Sequence, residues 1–461
     1  MNGKTKRGAR PRGLSRRSVL SSAATAAGVF TIVPRHVLGG SGRTPPSEKL
    51  HIAGIGVGGR GAADINGVAS ENIVALCDVD DKRAAATFRR YPKAKRYRDF
   101  RKMLERQKDI DAVVVGTPDH THAVAAMMAI KMGKHVYCEK PLTHTIYEAR
   151  KLTEAARRAK VATQMGNQAQ SYEGCRLVRE WIEDGAIGPV REVHVWSDRP
   201  GGRWPQGVGR PKQTPPVPST LDWNLWLGPA PNRPYHPEYV PFKWRGWWDF
   251  GTGPLGDMGS HNLAPVFYAL KLKYPTSVEA SSTAVNDETL PLACMVHFEF
   301  PARGDMPPVK VHWYDGGLLP PRPDELEPGR TLPHDDGVIF VGDKGKLIAE
   351  KWGAQKPRLL PESKMKAYKH PPKTIPRSVG HHAEWVEACK TGKPTGSNFE
   401  FAGPVTETAL LGTIAVRTGK QRGGSCLIRQ KLLWDGPNMK VTNVPEANAF
   451  VHTTYRNGWT L

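Results

Sequence analysis

The chain has 461 residues, of which 39% are hydrophobic and 24% charged, a balance that builds folded cores and excludes a disordered chain. That length is too great for one ordinary core and suits two domains with a tail. The formal charge of +22 would fit nucleic acid or an anionic surface. However, Lys4, Lys6, Arg7, Arg10, Arg12, Arg16 and Arg17 are packed at the start, and later basic residues are interspersed with acids, so no helix carries a basic stripe and a nucleic-acid function is disfavoured.

Residues 15–20 read Ser-Arg-Arg-Ser-Val-Leu and end a basic stretch; residues 21–33 are weakly apolar, too short and too rich in Ala and Ser to span a bilayer well. Arg16-Arg17 with Leu20 resembles a twin-arginine export signal, with Val19 where Phe is commoner; an ordinary secretory signal is the alternative. Residues 1–40 are therefore expected to be signal and linker, and the protein to be exported, periplasmic or otherwise extracytoplasmic. No later segment has the length and apolarity of a transmembrane helix, so no stable membrane insertion is expected. The six cysteines include no CxxC pair, and neither a disulfide framework nor a metal site is expected.

From residue 47 short apolar runs alternate with helical stretches. Strands are predicted at 50–53, 73–76, 112–115, 136–138 and 161–165, with helices at 61–68, 81–90, 120–132 and 146–159 between them. This alternation predicts a Rossmann-like, doubly wound parallel sheet over 47–168. Next come a helix at 172–184, a strand at 191–196 and a Pro/Gly/Trp-rich loop over 199–253, far longer than an ordinary connection. A helix at 254–270 follows, opened by Pro254. Strands at 277–285, 292–300, 309–314, 337–341 and 345–349 and helices at 381–389 and 405–418 complete an α+β domain over 169–425 with an open, mostly antiparallel sheet. Overall the chain is α/β, with residues 426–461 as an unassigned C-terminal extension.

Gly54-x-Gly56-x-x-Gly59 falls directly after a strand and before a helix, where glycines let backbone N–H groups approach a pyrophosphate; Arg60 follows. Asp78 ends the next strand, 19 residues beyond Gly59, placed to accept from a ribose diol and to favour NAD over NADP. Arg60, Lys82 and Arg83 weaken that preference, and a purely structural glycine turn is the alternative. Thr117-Pro118 with Asp119, His120 and His122 occupies the carboxyl end of a strand, where ligands of such sheets bind; a plain strand-to-helix turn is the alternative. Asp257 and His261 stand i and i+4 in the helix at 254–270, on one face, unless the acid simply answers the helix dipole. Arg245 and Trp248 are candidates for stacking and hydrogen bonding to a sugar, with core packing the alternative for the tryptophan.

Glu139-Lys140-Pro141 at the end of a strand, together with the glycine turn, the Thr117-Pro118…His122 pattern and Asp257…His261, resembles the Gfo/Idh/MocA family of oxidoreductases. The resemblance implies a catalytic set of Lys140, Asp257 and His261. Gly54, Gly56, Gly59, Arg60, Asp78, Thr117, Pro118, His122, Glu139 and Asn167 would bind the cofactor, and Arg245 and Trp248 the substrate. It implies hydride transfer between NAD and a secondary hydroxyl of a sugar or polyol, and export, where free NAD is lacking, makes a tightly bound cofactor the expectation. An NAD-dependent glycoside hydrolase using transient oxidation and elimination, and a non-catalytic NAD- or sugar-binding protein, stay open. The Lys140-Pro141 bond is a candidate cis bond. The partner is a small carbohydrate, and the open sheet suits a homo-oligomer.

Overall fold

A computed structural model describes residues 48–422, 426–428 and 430–461, so the signal reading of residues 1–40 falls outside the described residues. Six parallel strands form the first sheet: β1 (His51–Ile55), β2 (Asn72–Cys77), β3 (Lys95–Tyr97), β4 (Ala112–Val115), β5 (His135–Glu139) and β6 (Thr163–Gly166). They lie in the order β3-β2-β1-β4-β5-β6. The order reverses between β1 and β4, and that switch opens a crevice at the carboxyl ends of the strands. β4 is buried along its whole length, as expected for a Val run covered by helices on both faces.

The second sheet has nine strands: β7 (Val190–Ser197), β8 (Ser277–Ser282), β9 (Cys294–Phe300), β10 (Val309–Tyr314), β11 (Asp336–Gly342), β12 (Gly345–Glu350), β13 (Gln355–Leu360), then, beyond the separate hairpin of β14 (Lys420–Arg422) and β15 (Cys426–Ile428), β16 (Leu432–Asp435) and β17 (Lys440–Val441). Its one parallel pair is β7 with β10; the other pairings are antiparallel, as predicted. One face packs against helices Glu173–Glu183, Ser260–Leu270 and Phe399–Arg417 to make the largest core. β9 shows the reason, alternating buried and half-buried residues along Cys294–Phe300.

The two sheets are tied together by later parts of the chain. Helix His381–Thr391 sends Trp385 into the core on one face of the first sheet, and Phe399 and Ala402 enter the core on the other. The extension is also structural: β16 pairs with β8 and lengthens the second sheet.

The glycine turn is held by close approach. Gly56 has φ +74°, and a Cβ at Gly61 would fall 1.8 Å from the Gly56 carbonyl oxygen. Backbone cannot yield as a flexible side chain does. Gly61→Ala is therefore expected to destabilise the protein by about 1–3 kcal/mol. Thermal unfolding checks this, and an unchanged midpoint would show that the turn can shift.

Candidate active site

The glycine turn, the β2 end and the long loop enclose a cleft with about 1140 Å³ of empty space. Gly56 and Gly58 form its floor, and the helix that follows, Arg60–Gly67, has neither a side-chain cap nor an acid in its first turn. Its first N–H groups are thus left for an anion. Thr117 Oγ1 is buried in the same wall without a hydrogen-bond partner, and a Cβ on Gly56 would collide with Thr117. A cradle that only glycine leaves open, beside an unanswered hydroxyl, fits a dinucleotide phosphate.

Asp78 lines this cleft, but its carboxylate also builds the turn. One oxygen accepts from the N–H groups of Val57 (2.8 Å) and Gly58 (3.1 Å), the other from Asp80 (3.0 Å). A carboxylate has about four acceptor positions, so one remains for a ribose hydroxyl. Burial raises its pKa to about 6 despite those N–H groups. The acceptor-only form therefore prevails above pH 6 and is lost as the pH falls through it. NAD affinity is expected to weaken by about tenfold on acidification through this range and to lose that dependence in Asp78→Asn. Equilibrium binding at several pH values checks it; identical profiles would remove Asp78 from the site.

Arg60 borders the cleft but is already committed. Its Nε donates to Glu139 at 3.0 Å and its guanidinium pairs with Asp64 at 2.8 Å. Gln168 also donates to Glu139, at 2.9 Å. Burial pushes Glu139 up, but Arg60 and Lys140 outweigh it and hold the carboxyl below its ordinary range. Arg83 lies against Gly58 and Gly59 instead, with its guanidinium over the turn. Thr117 and Pro118 line the cleft; Gly54 packs beneath it against Val57 and Ile65.

Two expected cofactor ligands serve the frame. Both ring nitrogens of His122 are engaged, with the carbonyls of Pro141 (2.7 Å) and Thr117 (2.8 Å), so it clamps the two strand-end turns together. Asn167 is buried between Ser260 and Ser397 and joins the two sheets' supporting elements.

Lys140, on the cleft wall at the start of the cis Lys140-Pro141 bond, brings the two domains into contact. Its ammonium donates to Asp257, whose carboxylate also receives Arg245 Nε at 3.0 Å and has Arg199 Nε at 3.7 Å. Burial pushes Asp257 up, but Lys140 and Arg245 more than offset it, and the carboxyl sits well below the usual range. The carboxylate is therefore the form present at neutral pH.

The helix predicted over 254–270 is in fact two pieces, a π-turn at Leu255–Gly259 and an α-helix at Ser260–Leu270. The wider turn changes the offset of i and i+4, and such turns recur at functional sites. Asp257 meets the three cations, whereas His261 stacks on Trp352, with ring centroids 5.0 Å apart and planes at 18°. Asp257 thus orients the lysine and reaches the imidazole only at longer range. Burial, reinforced by the Lys140 ammonium, pulls His261 well below its ordinary value, so the ring is neutral; its Nδ1 is buried without a partner.

Arg245 borders the cleft, with its guanidinium 4.3 Å from the Trp244 ring centroid. Trp248 does not. It is buried in the second domain's core, donates to the Asn286 carbonyl at 2.8 Å, and is withdrawn from the substrate-binding set. Trp226, Phe242 and Trp244 are the aromatics of the long loop that reach the cleft, where Phe100 of the first domain joins them. They share the aromatic-rich loop with Trp248, and nothing in the sequence distinguishes which of them faces inward. Trp352 was also missed; its φ of +62° is a backbone signal that only the fold reveals. Among the described residues, no group of His, Cys, Asp or Glu is arranged to hold a metal ion, and no helix is long and apolar enough to cross a membrane.

A parallel sheet with a glycine cradle at its switch point, facing a lysine–carboxylate pair closed by a second sheet domain, defines a two-domain dinucleotide-binding protein. The comparisons with known proteins refine that class. Residues 50–167 match the family model for the oxidoreductase family's NAD-binding Rossmann fold, and residues 173–300 match its C-terminal alpha/beta domain. The chain carries both domains of the Gfo/Idh/MocA oxidoreductase family, and its first domain is an NAD-binding Rossmann domain.

Inositol 2-dehydrogenase of Salmonella typhimurium is 32% identical over 153 residues, covering 32% of this chain and 44% of the relative. Levoglucosan dehydrogenase of Pseudarthrobacter phenanthrenivorans is 30% identical over 115 residues, covering 25% and 29%. These matches span less than half of either relative. Among solved structures, the WlbA dehydrogenase of Bordetella pertussis, in complex with NADH and UDP-GlcNAcA, has a TM-score of 0.56 at 17% identity, covering 84% of this chain and 100% of that one. The inositol dehydrogenase homolog of Azotobacter vinelandii, complexed with NADH and myo-inositol, has 0.53 at 17%, covering 83% and 97%. At such identities these structures show the fold alone.

Proposed function

We propose that the protein is an NAD-dependent oxidoreductase that moves hydride between the nicotinamide and a secondary hydroxyl of a sugar or polyol. The observation that carries this reading is the Lys140–Asp257 pair, set between a dinucleotide cleft and the second domain. Bound NAD supplies the hydride acceptor. The neutral His261 imidazole, whose buried Nδ1 has no hydrogen-bond partner, is assigned the hydroxyl proton in this reading, with Lys140 as the alternative acceptor. Asp257 and Arg245 fix the direction of the lysine. The relatives' names, inositol 2-dehydrogenase and levoglucosan dehydrogenase, point to the same substrate class.

A second reading, transient oxidation of a glycoside, elimination of its aglycone and return of the hydride, is favoured by the covered cleft. The long loop lies over it, and such cover suits a cofactor retained through each turnover. Incubating the purified protein with NAD and a panel of polyols and glycosides separates the two. Accumulating NADH supports net oxidation; released aglycone without net NADH supports the second; neither product from any substrate overturns both. The proposal includes export, on the strength of residues 15–20, and a homo-oligomer that covers the open face of the second sheet. Fractionation of the producing cells and sedimentation of the purified protein test these.

A further inference from the structure

A second cavity, with about 860 Å³ of empty space, lies where the long loop, the end of helix Phe399–Arg417 and the C-terminal extension meet. It shares no lining residue with the cofactor cleft. Its wall carries Arg417, whose guanidinium is 4.4 Å from the Phe450 ring centroid and 5.1 Å from that of Trp248. Two aromatic rings hold this planar cation in place. Among the described residues it makes no hydrogen bond and no ion pair.

The ordinary reading of Arg417 is a cation that answers the carboxyl end of its helix. That role needs neither the aromatic cage nor the cavity. Burial works against its charge, and the carboxylates that counter this, Asp249 and Asp287, act from beyond ion-pair distance. Asp249 is already paired with the buried Arg233. A half-buried guanidinium set against two rings, with its fork unanswered, suits the bidentate geometry of a carboxylate. The rest of the wall is rich in hydroxyl-binding groups: Asp249, Thr453, Thr454 and His144 all border the space. A guanidinium and hydroxyl-binding groups on the wall of one cavity describe a single ligand class.

We infer that this cavity is a second ligand site, separate from the redox centre, which takes a small polyhydroxylated carboxylate, with Arg417 gripping the carboxylate and Asp249, Thr453 and Thr454 meeting the hydroxyls.

The test uses the full chain with NAD bound and reads the fluorescence of Trp248 and its neighbours, together with calorimetry. The titrants are glucuronate, glucose and inorganic phosphate. Saturable binding of glucuronate is expected, with glucose and phosphate each at least tenfold weaker. In Arg417→Met, which keeps an apolar side chain of similar length beside the two rings, glucuronate affinity is expected to fall at least tenfold while bound NAD is unchanged. Thermal unfolding of the free variant verifies that it is folded, and Thr453→Val/Thr454→Val gives an independent reading, with an expected loss of at least threefold. Absence of saturable glucuronate binding, equal binding of glucose, or undiminished binding in folded Arg417→Met overturns the site. Phosphate binding as tightly as glucuronate overturns the hydroxyl half of the assignment.

Discussion

Replacing Lys140 with Met is expected to leave NAD binding within about twofold of the parent and to cut turnover by ~10²-fold or more, the range assigned to a positioned proton-transfer group. The two effects separate because the cofactor is held mainly elsewhere. The glycine turn, Asp78 and the Thr117–Pro118 wall do not depend on the ammonium. What the substitution removes is the cation that the first domain contributes to Asp257 at the cleft wall. Arg245 stays beside Asp257, so the carboxylate is not abandoned in the interior and the fold is expected to survive. Asp257→Asn is expected to lower turnover in the same direction, because the lysine loses its anchor. The pH profile distinguishes the roles. Its neighbouring cations hold Asp257 below the usual carboxylate range, so an acid limb within that range is expected to report another group. Steady-state rates and NAD titrations of both variants check these outcomes, and full turnover in Lys140→Met would sink the catalytic assignment.

The sequence revealed the scaffold where a residue pattern has one physical meaning. The Val run at 112–115 and the helical stretch at 146–159 were predicted at their observed bounds, because a buried parallel strand and an amphipathic helix leave distinct periodicities. The helix also carries a capping box between Thr145 and Glu148. β3 was missed because it has three residues, none of them buried, and helix Phe100–Arg106 because seven residues make barely two turns. β13 was missed for a different reason: Pro357 and the positive φ of Lys356 break the alternation that identifies a strand.

At the site, spacing identified the members but not their partners. Asp257 and His261 were placed on one face by assuming 3.6 residues per turn, and the π-turn invalidates that assumption. His122 and Arg60 matched ligand positions, yet the fold also brings the Pro141 carbonyl to His122 and the Glu139 carboxylate to Arg60. Long-range satisfaction of polar groups is a property of the fold and leaves no local trace.

The extension at 426–461, opaque in the sequence, yields the other large expected effect. The long loop covers the cofactor cleft with Leu221, Leu225, Trp226 and Phe242, and its backbone is bonded to the β2 end at Val79 and Asp81. Arg456 fastens the same loop from outside: Nη1 donates to the side chains of Asn224 (2.6 Å) and Asn232 (2.9 Å), Nη2 to the Asn224 carbonyl (2.8 Å) and Nε to the Gly228 carbonyl (3.0 Å). Trp459 then anchors the extension to the first domain, under Arg101 and 5.9 Å from the ring of Phe100, itself a cleft residue. The strap touches the cover and not the cofactor floor, so its expected contribution is to the barrier for NAD release more than to the contacts with the cofactor. Hydrogen bonds to a charged group contribute about 1.5–3 kcal/mol each, and a barrier lowered by 1.4 kcal/mol is crossed about tenfold faster. Arg456→Ala with Trp459→Ala is therefore expected to speed NAD release by about 10–100-fold, and to do so with little change in the rate of the first turnover of prebound cofactor. Displacement of bound NAD by a labelled excess measures the release rate, and single-turnover kinetics the chemistry. If release keeps the parent rate, the cover does not gate the cofactor; if the first turnover collapses as well, the strap supports the catalytic geometry itself.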